Sequence, residues 1–155
     1  MAANGFRWVY NLSGGDPLIY DFLMKDTETL TKGDRLNLES GEVDLAATGD
    51  AALVGVFVGP FDPGDSVDGK PGTVSGTDST TVVLAHVNPD AIYADDNDTS
   101  ARNAGATLDI SGATGAQTVA ASSNTEFVVV ARKKQAADPT LRQICSSAHY
   151  LAKAQ

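Results

Sequence analysis

From Leu30 to Gly59 apolar and polar residues take turns in the most regular pattern of the chain. Lys32-Gly33-Asp34 reads as a turn entering a strand, and Arg35-Leu36-Asn37-Leu38-Glu39 then alternates. Strand side chains point to opposite faces in turn, so Leu36 and Leu38 share one face. Ser40-Gly41 supplies a tight hairpin turn, with glycine free to take positive φ. Glu42-Val43-Asp44-Leu45 alternates again and sends Val43 and Leu45 to the same core. After the Thr48-Gly49-Asp50 turn, Ala52 to Val58 is apolar on both faces, which predicts a central strand. Gly55 inside that strand marks a bulge or a close backbone approach. Together the three segments read as a three-stranded meander.

The flanking pattern is choppier. Trp8 and Tyr10 alternate with Arg7, Val9 and Asn11, as in a short strand or a docking arm, and Ser13-Gly14-Gly15-Asp16-Pro17 is a hinge. Residues 1–17 are therefore set apart as an N-terminal arm. Leu18 to Met24 is too short for periodicity to separate strand from helix. Residues 59–79 concentrate Pro, Gly and Asp and read as one long loop. Further strands are expected at Thr80–His86, Asp90–Ala94, 106–110, 117–121, Phe127–Arg132 and Leu141–Ala148. The expected fold is all-β: a small β-barrel or sandwich of short antiparallel strands with long Gly/Pro/Asp-rich loops. It forms a single domain over residues 18–150, followed by a tail at 151–155.

Composition narrows the partners. The 155 residues carry a net charge of −9, which repels phosphate backbones and anionic bilayers. Neither nucleic acid nor membrane is an expected partner. The single cysteine, Cys145, excludes an intrachain disulfide. No basic stretch followed by an apolar run opens the chain, so an intracellularly made protein, complete as written, is expected.

Candidate chemistry is sparse. Gly64 to Lys70 has the spacing of a phosphate-binding loop, but Pro71 stands where Ser or Thr would hold Mg²⁺, and no helix is expected after it. Asp62, Asp65 and Asp68 recur every third residue, unlike the alternating ligands of a calcium loop, and read as solvated turn carboxylates. The run Asp95-Asp96-Asn97-Asp98 reads the same way. Cys145 and His149 would lie about 13 Å apart on an extended segment, too far for a nucleophile–base pair. No catalytic, cofactor or metal residues are assigned, and an enzyme is not expected. Phe6, Arg7, Trp8 and Tyr10 cluster near the N-terminus and are the residue types that anchor interfaces. They are the candidate interface residues, the alternative being that they cap one end of the core.

The segment from Gly14-Gly15-Asp16-Pro17 through the Thr27–Gly59 pattern (TETLTKGDRLNLESGEVDLAATGDAALVGVFVG) resembles the head decoration, or capsid cement, proteins of tailed bacteriophages. The likeness covers about residues 15–60 and extends more loosely through Val82–Tyr93 and Phe127–Arg132. It implies a virion structural protein on the outer capsid surface that stabilises the shell by bridging neighbouring major capsid protein subunits. It also implies self-association as a homotrimer and no enzyme site or cofactor. The long 59–79 loop and the 95–125 stretch depart from the smallest proteins of that kind. A second expectation, from another class, is a free β-sandwich module that binds carbohydrate; the supply of one Trp and four Tyr is thin for a sugar-stacking face.

Overall fold

The computed structural model describes residues 5–50, 52–68, 72–76, 80–88, 90–95, 97, 100, 105–121, 127–129 and 140–144. The chain is all-β, with thirteen strands among those residues. They are β1 (Phe6–Asn11), β2 (Ile19–Met24), β3 (Thr29–Thr31), β4 (Arg35–Glu39), β5 (Glu42–Leu45), β6 (Leu53–Pro60) and β7 (Thr73–Ser75). They continue with β8 (Val82–His86), β9 (Ala91–Asp95), β10 (Thr107–Ser111), β11 (Thr118–Ala121), β12 (Phe127–Val129) and β13 (Thr140–Ile144). A six-stranded antiparallel sheet runs β1-β9-β13-β12-β10-β11. Beside it stands a closed five-stranded barrel, β2-β5-β4-β6-β8, and a small β3–β7 pair.

The alternation of the central segment does what its period requires. Leu36 opposes Leu45 and Leu38 opposes Val43 across β4 and β5. Leu36 and Val43 are fully buried in the barrel core, with Leu38 and Leu45 packed against it. Ser40 and Gly41 both have positive φ, 54° and 89°, the requirement of a two-residue hairpin whose twist matches its strands. The strand order is nevertheless not a meander: β4 is the middle strand, with β5 on one side and β6 on the other. The link after β5 is diverted toward the larger sheet, where the Thr48 hydroxyl donates to the Ile110 carbonyl at 2.7 Å. The barrel closes through the short parallel pairing of Leu23 with Glu42 and Met24 with Val43.

β6 joins the two halves. Leu53 and Val56 belong to the core under the six-stranded sheet, with Phe6, Tyr93, Leu108, Ile110 and Phe127. Val54 and Phe57 belong to the barrel core. Strict alternation would put Val54 and Val56 on one face. A bulge opposite Leu36 and Asn37 shifts the phase by one residue and gives each core two side chains. Each such burial is worth roughly 1.5–3 kcal/mol. The bulge sits at Gly55, where an added Cβ would lie 2.5 Å from the His86 carbonyl oxygen. Close approach and bulge therefore coincide.

The 59–79 segment is more ordered than a single loop. It contains a short 3-10 turn at Pro63–Asp65 and strand β7, which pairs with β3 and places Val74 at full burial in the barrel core. Residues 69–71 and 77–79 lie outside the described residues, as do Cys145, His149, the 151–155 tail and Ala148.

Polar side chains fasten barrel to sheet. Asp34 is fully buried, and its carboxylate accepts from the Thr31 N–H at 2.7 Å, the Thr114 hydroxyl at 2.6 Å and the Gly115 N–H at 2.8 Å. Burial outweighs these three bonds and holds its pKa above the ordinary carboxylate value. Gln117, also fully buried, donates to the Ala46 carbonyl at 2.7 Å and accepts from the Arg35 N–H. The Arg35 guanidinium is buried 6.0 Å from the Phe127 ring centre, within cation–π range.

Candidate functional site

Two surfaces stand out, and the first lies on β2. Ile19 to Leu23 pair with β8, and β2 meets β5 only at Leu23 and Met24. From Ile19 to Phe22 the other edge has no partner strand among the described residues. The Leu18 carbonyl and the Met24 N–H both turn toward β8 and its flanks, accepting from Val87 and donating to Thr81. Antiparallel alternation then turns the backbone groups of Ile19 and Asp21 outward. Ile19 is 47 % exposed and its neighbour Tyr20 50 %, although adjacent strand residues face opposite ways. Both faces of this half-strand therefore meet solvent.

The apolar surface continues beyond β2 at each end. Leu18, 49 % exposed, is held by a 2.6 Å bond from its N–H to the Asn88 side chain. Leu12 follows, with its N–H on the Asp90 carbonyl, and Tyr10 lies two residues before it. At the opposite end Leu23 opposes Val82, whose carbonyl accepts from the Phe61 N–H. These residues are the large exposed hydrophobics of the described chain. Four of them, Leu18, Ile19, Tyr20 and Leu23, lie on or directly beside β2 rather than scattering singly, the arrangement that marks an interaction surface.

The second surface is a groove of about 400 Å³ between β1 and the barrel. Its walls include Arg7, Trp8, Lys32, Phe57, Val58 and His86. The turn at Lys32–Asp34 forms one rim and ties the start of β1 to the barrel, with the Phe6 N–H donating to the Gly33 carbonyl at 2.8 Å. Trp8 and His86 face each other at 6.1 Å between ring centres, tilted by 54°. Burial lowers the His86 pKa, and the Lys32 ammonium lowers it further, so the imidazole is neutral at pH 7. The described lining offers two cationic side chains, an imidazole and aromatic wall, with no carboxylate and no hydroxyl or thiol nucleophile. Such a set is suited to recognising anionic, ring-bearing groups rather than to moving a proton between paired acids and bases.

The four N-terminal candidates are separated by the fold. Residues 6–11 form β1, an edge strand of the larger sheet paired to β9. Phe6 is 2 % exposed and stacks on Phe127 at 5.0 Å, so it serves the core and not a surface. Arg7 is exposed, and Trp8 is half-buried with its indole N–H donating to the Asn11 side chain at 2.9 Å. A bulge between Trp8 and Tyr10 shifts the alternation, turning Tyr10 outward and Asn11 inward. Asn11 then donates to the Gly15 and Asp16 carbonyls and pins the Gly-Gly-Asp-Pro turn.

The acidic positions also part company. Asp62 caps the 3-10 turn by accepting from the Gly64 N–H at 2.9 Å, and Asp65 and Asp68 are exposed. Asp95 is buried on β9 and accepts from Thr118, Val119 and Asn97, so it is a structural group and not a solvated turn carboxylate. Among the described residues no three of His, Cys, Asp and Glu come together as metal ligands. Ile19, Tyr20, Leu23, Phe61, Lys32 and His86 were not singled out by sequence. The signal for the first three was the apolar run at Leu18–Met24, which no alternation assigned to one face. No protein-family model matches the chain, and no curated protein matches it in sequence.

Proposed function

We propose that the protein is a virion structural protein that binds the outer surface of a phage capsid and stabilises it by bridging neighbouring major capsid protein subunits. The observation that carries this reading is the half-strand Ile19–Phe22, apolar on both faces and open along one edge. An open edge receives an extended segment of a partner by main-chain hydrogen bonds, while side chains on the two faces supply contact area. Leu18, Ile19, Tyr20 and Leu23 give that contact without any charged anchor except Asp21. The resemblance of residues 15–60 to decoration proteins supports the same reading, since β2 lies inside that stretch. A net charge of −9 suits an exterior surface better than a DNA-lined interior. Contacts to two coat subunits at once make modest individual affinities add up to firm attachment.

The test is co-sedimentation of purified protein with assembled, expanded shells and with unassembled coat subunits. Binding to shells, with a higher temperature of shell rupture, is expected. Indifference to shells, or retention on immobilised glycans instead, overturns the proposal.

A further inference from the structure

We propose that the groove between β1 and the barrel receives the acidic turn Phe61–Asp65 of a second copy of this chain, joining copies head to tail. This inference does not depend on the capsid reading. The groove is cationic in a chain with a net charge of −9: Arg7 and Lys32 line it, with Trp8, Phe57, Val58 and His86 between them. About 400 Å³ lies within the ~300–1,000 Å³ range of sites that engulf a ring-sized group. The complementary shape and charge are found on the same molecule. Every residue from Phe61 to Asp65 is exposed, and Phe61, at 65 %, is the most exposed large hydrophobic of the described chain. Two carboxylates, Asp62 and Asp65, follow that ring in sequence.

The turn is held out rigidly. The Phe61 N–H donates to the Val82 carbonyl at 2.9 Å, the Asp62 side chain accepts from Gly64, and the Asp65 N–H donates to the Asp62 carbonyl at 3.0 Å. A pre-shaped turn loses little freedom on docking. The same bonds keep it from folding back into its own groove, and the exposure of Phe61 shows that it is not seated there. A neighbouring copy meets neither obstacle. Its Phe61 ring packs into the groove against the outer side of the Trp8–His86 pair, and its carboxylates meet the exposed Lys32. Groove and turn are different surfaces, so the contact is heterologous and either closes into a ring or runs on as a chain. One such contact is small and weak alone, and gains strength where copies are already held side by side.

Sedimentation velocity of the full chain over a concentration series tests this, with shells absent so that the outcome is separate from shell binding. Wild type is expected to associate reversibly, more weakly at high salt, because screening shortens the reach of exposed charges. Lys32→Glu and Asp65→Lys are each expected to weaken association at least tenfold with unchanged thermal unfolding, since both side chains are exposed. An equal mixture of the two variants, and the double variant, restore it, because the exchanged charges then face each other across copies with opposite sign. Phe61→Ser weakens it, and adding the double charge exchange to the Phe61→Ser chain does not restore it. A chain that stays monomeric throughout, or association that the single variants leave intact, or single-variant losses that neither mixture nor double variant repairs, overturns the proposal.

Discussion

The seam between barrel and sheet and the free half of β2 are opposites. At the seam, Asp34, Arg35 and Gln117 are polar and fully buried, while on β2 Ile19 and Tyr20 are apolar and about half-exposed. Each arrangement costs free energy taken alone. Burying a carboxylate is unfavourable unless it is well bonded, and leaving an isoleucine in water forgoes on the order of 1 kcal/mol. The seam offsets part of its cost inside the molecule, because Asp34 binds three donors drawn from both sides of the seam. The outer edge of β2 from Ile19 to Phe22 meets no partner strand among the described residues. The difference separates a polar group that fixes the fold from an apolar group that awaits a partner.

The largest expected effect comes from breaking the seam. Asp34→Ala leaves the Thr31 and Gly115 N–H groups without their acceptor, and is expected to destabilise the protein by about 3 kcal/mol. For a chain of this length that lowers Tm by roughly 10 °C in a thermal melt. If the seam is what couples the halves, the melt also broadens or splits into two transitions; a shift of less than about 2 °C, the size of a surface effect, sinks the idea.

Next in size is the strand that feeds both cores. Gly55→Ala drives a Cβ to 2.5 Å from the His86 carbonyl oxygen and 3.0 Å from the Ala85 side chain. Neither neighbour moves without disturbing β8, so a loss of about 2 kcal/mol is expected in denaturant titration. Since β8 also carries β2, this variant is expected to weaken shell binding as well, which makes it the control for an indirect effect.

The free half of β2 is expected to behave in the reverse manner. Ile19→Ser and Tyr20→Ser change unfolding free energy by no more than about 0.5–1 kcal/mol, since neither side chain is packed in a core. Each lowers shell affinity about tenfold or more, measured by co-sedimentation against concentration. Equal losses of stability and binding would show that β2 is a weak part of the fold and not a docking edge.

The contrast also explains which features were legible in the sequence. Strands β4, β5, β6 and β8 were readable because each pairs alternation or β-branched residues with glycine turns, and Gly55 announced its own bulge. The order β5-β4-β6 was not, because the bond that diverts the link, Thr48 to Ile110, joins residues 62 apart. β3 and β7 have three residues each, too few for a period to register. Lys32-Gly33-Asp34 was readable as a turn, but the reach of Asp34 to Thr114, 80 residues on, was not. The N-terminal cluster divides for a specific reason. Alternation puts Phe6, Trp8 and Tyr10 on one face, and the bulge after Trp8 sends Tyr10 the other way. In LIYDFLM, apolar residues fall on both faces, which reads equally as a buried strand or as an exposed one; only the missing partner strand decides it.

The smallest expected effect concerns His86, which sits where the groove meets the barrel. Burial is the main cause that lowers its pKa and Lys32 the lesser one, and Arg7 and Trp8 line the same groove. A folded pKa below the ordinary 6.5 means that the unfolded chain takes up the proton more readily. The neutral imidazole therefore contributes stability that is whole above pH 6.5 and is lost as pH falls through the folded-state value. The loss is small, because the ring is only half-buried. Imidazole NMR titration is expected to give a midpoint under 6.5, and Lys32→Gln to move it part of the way back. Complete recovery in that variant would mean that charge and not burial sets the pKa. Occupation of the groove by an acidic turn acts in the other direction: carboxylates near the ring favour its protonated form, so the midpoint rises with protein concentration if copies join there.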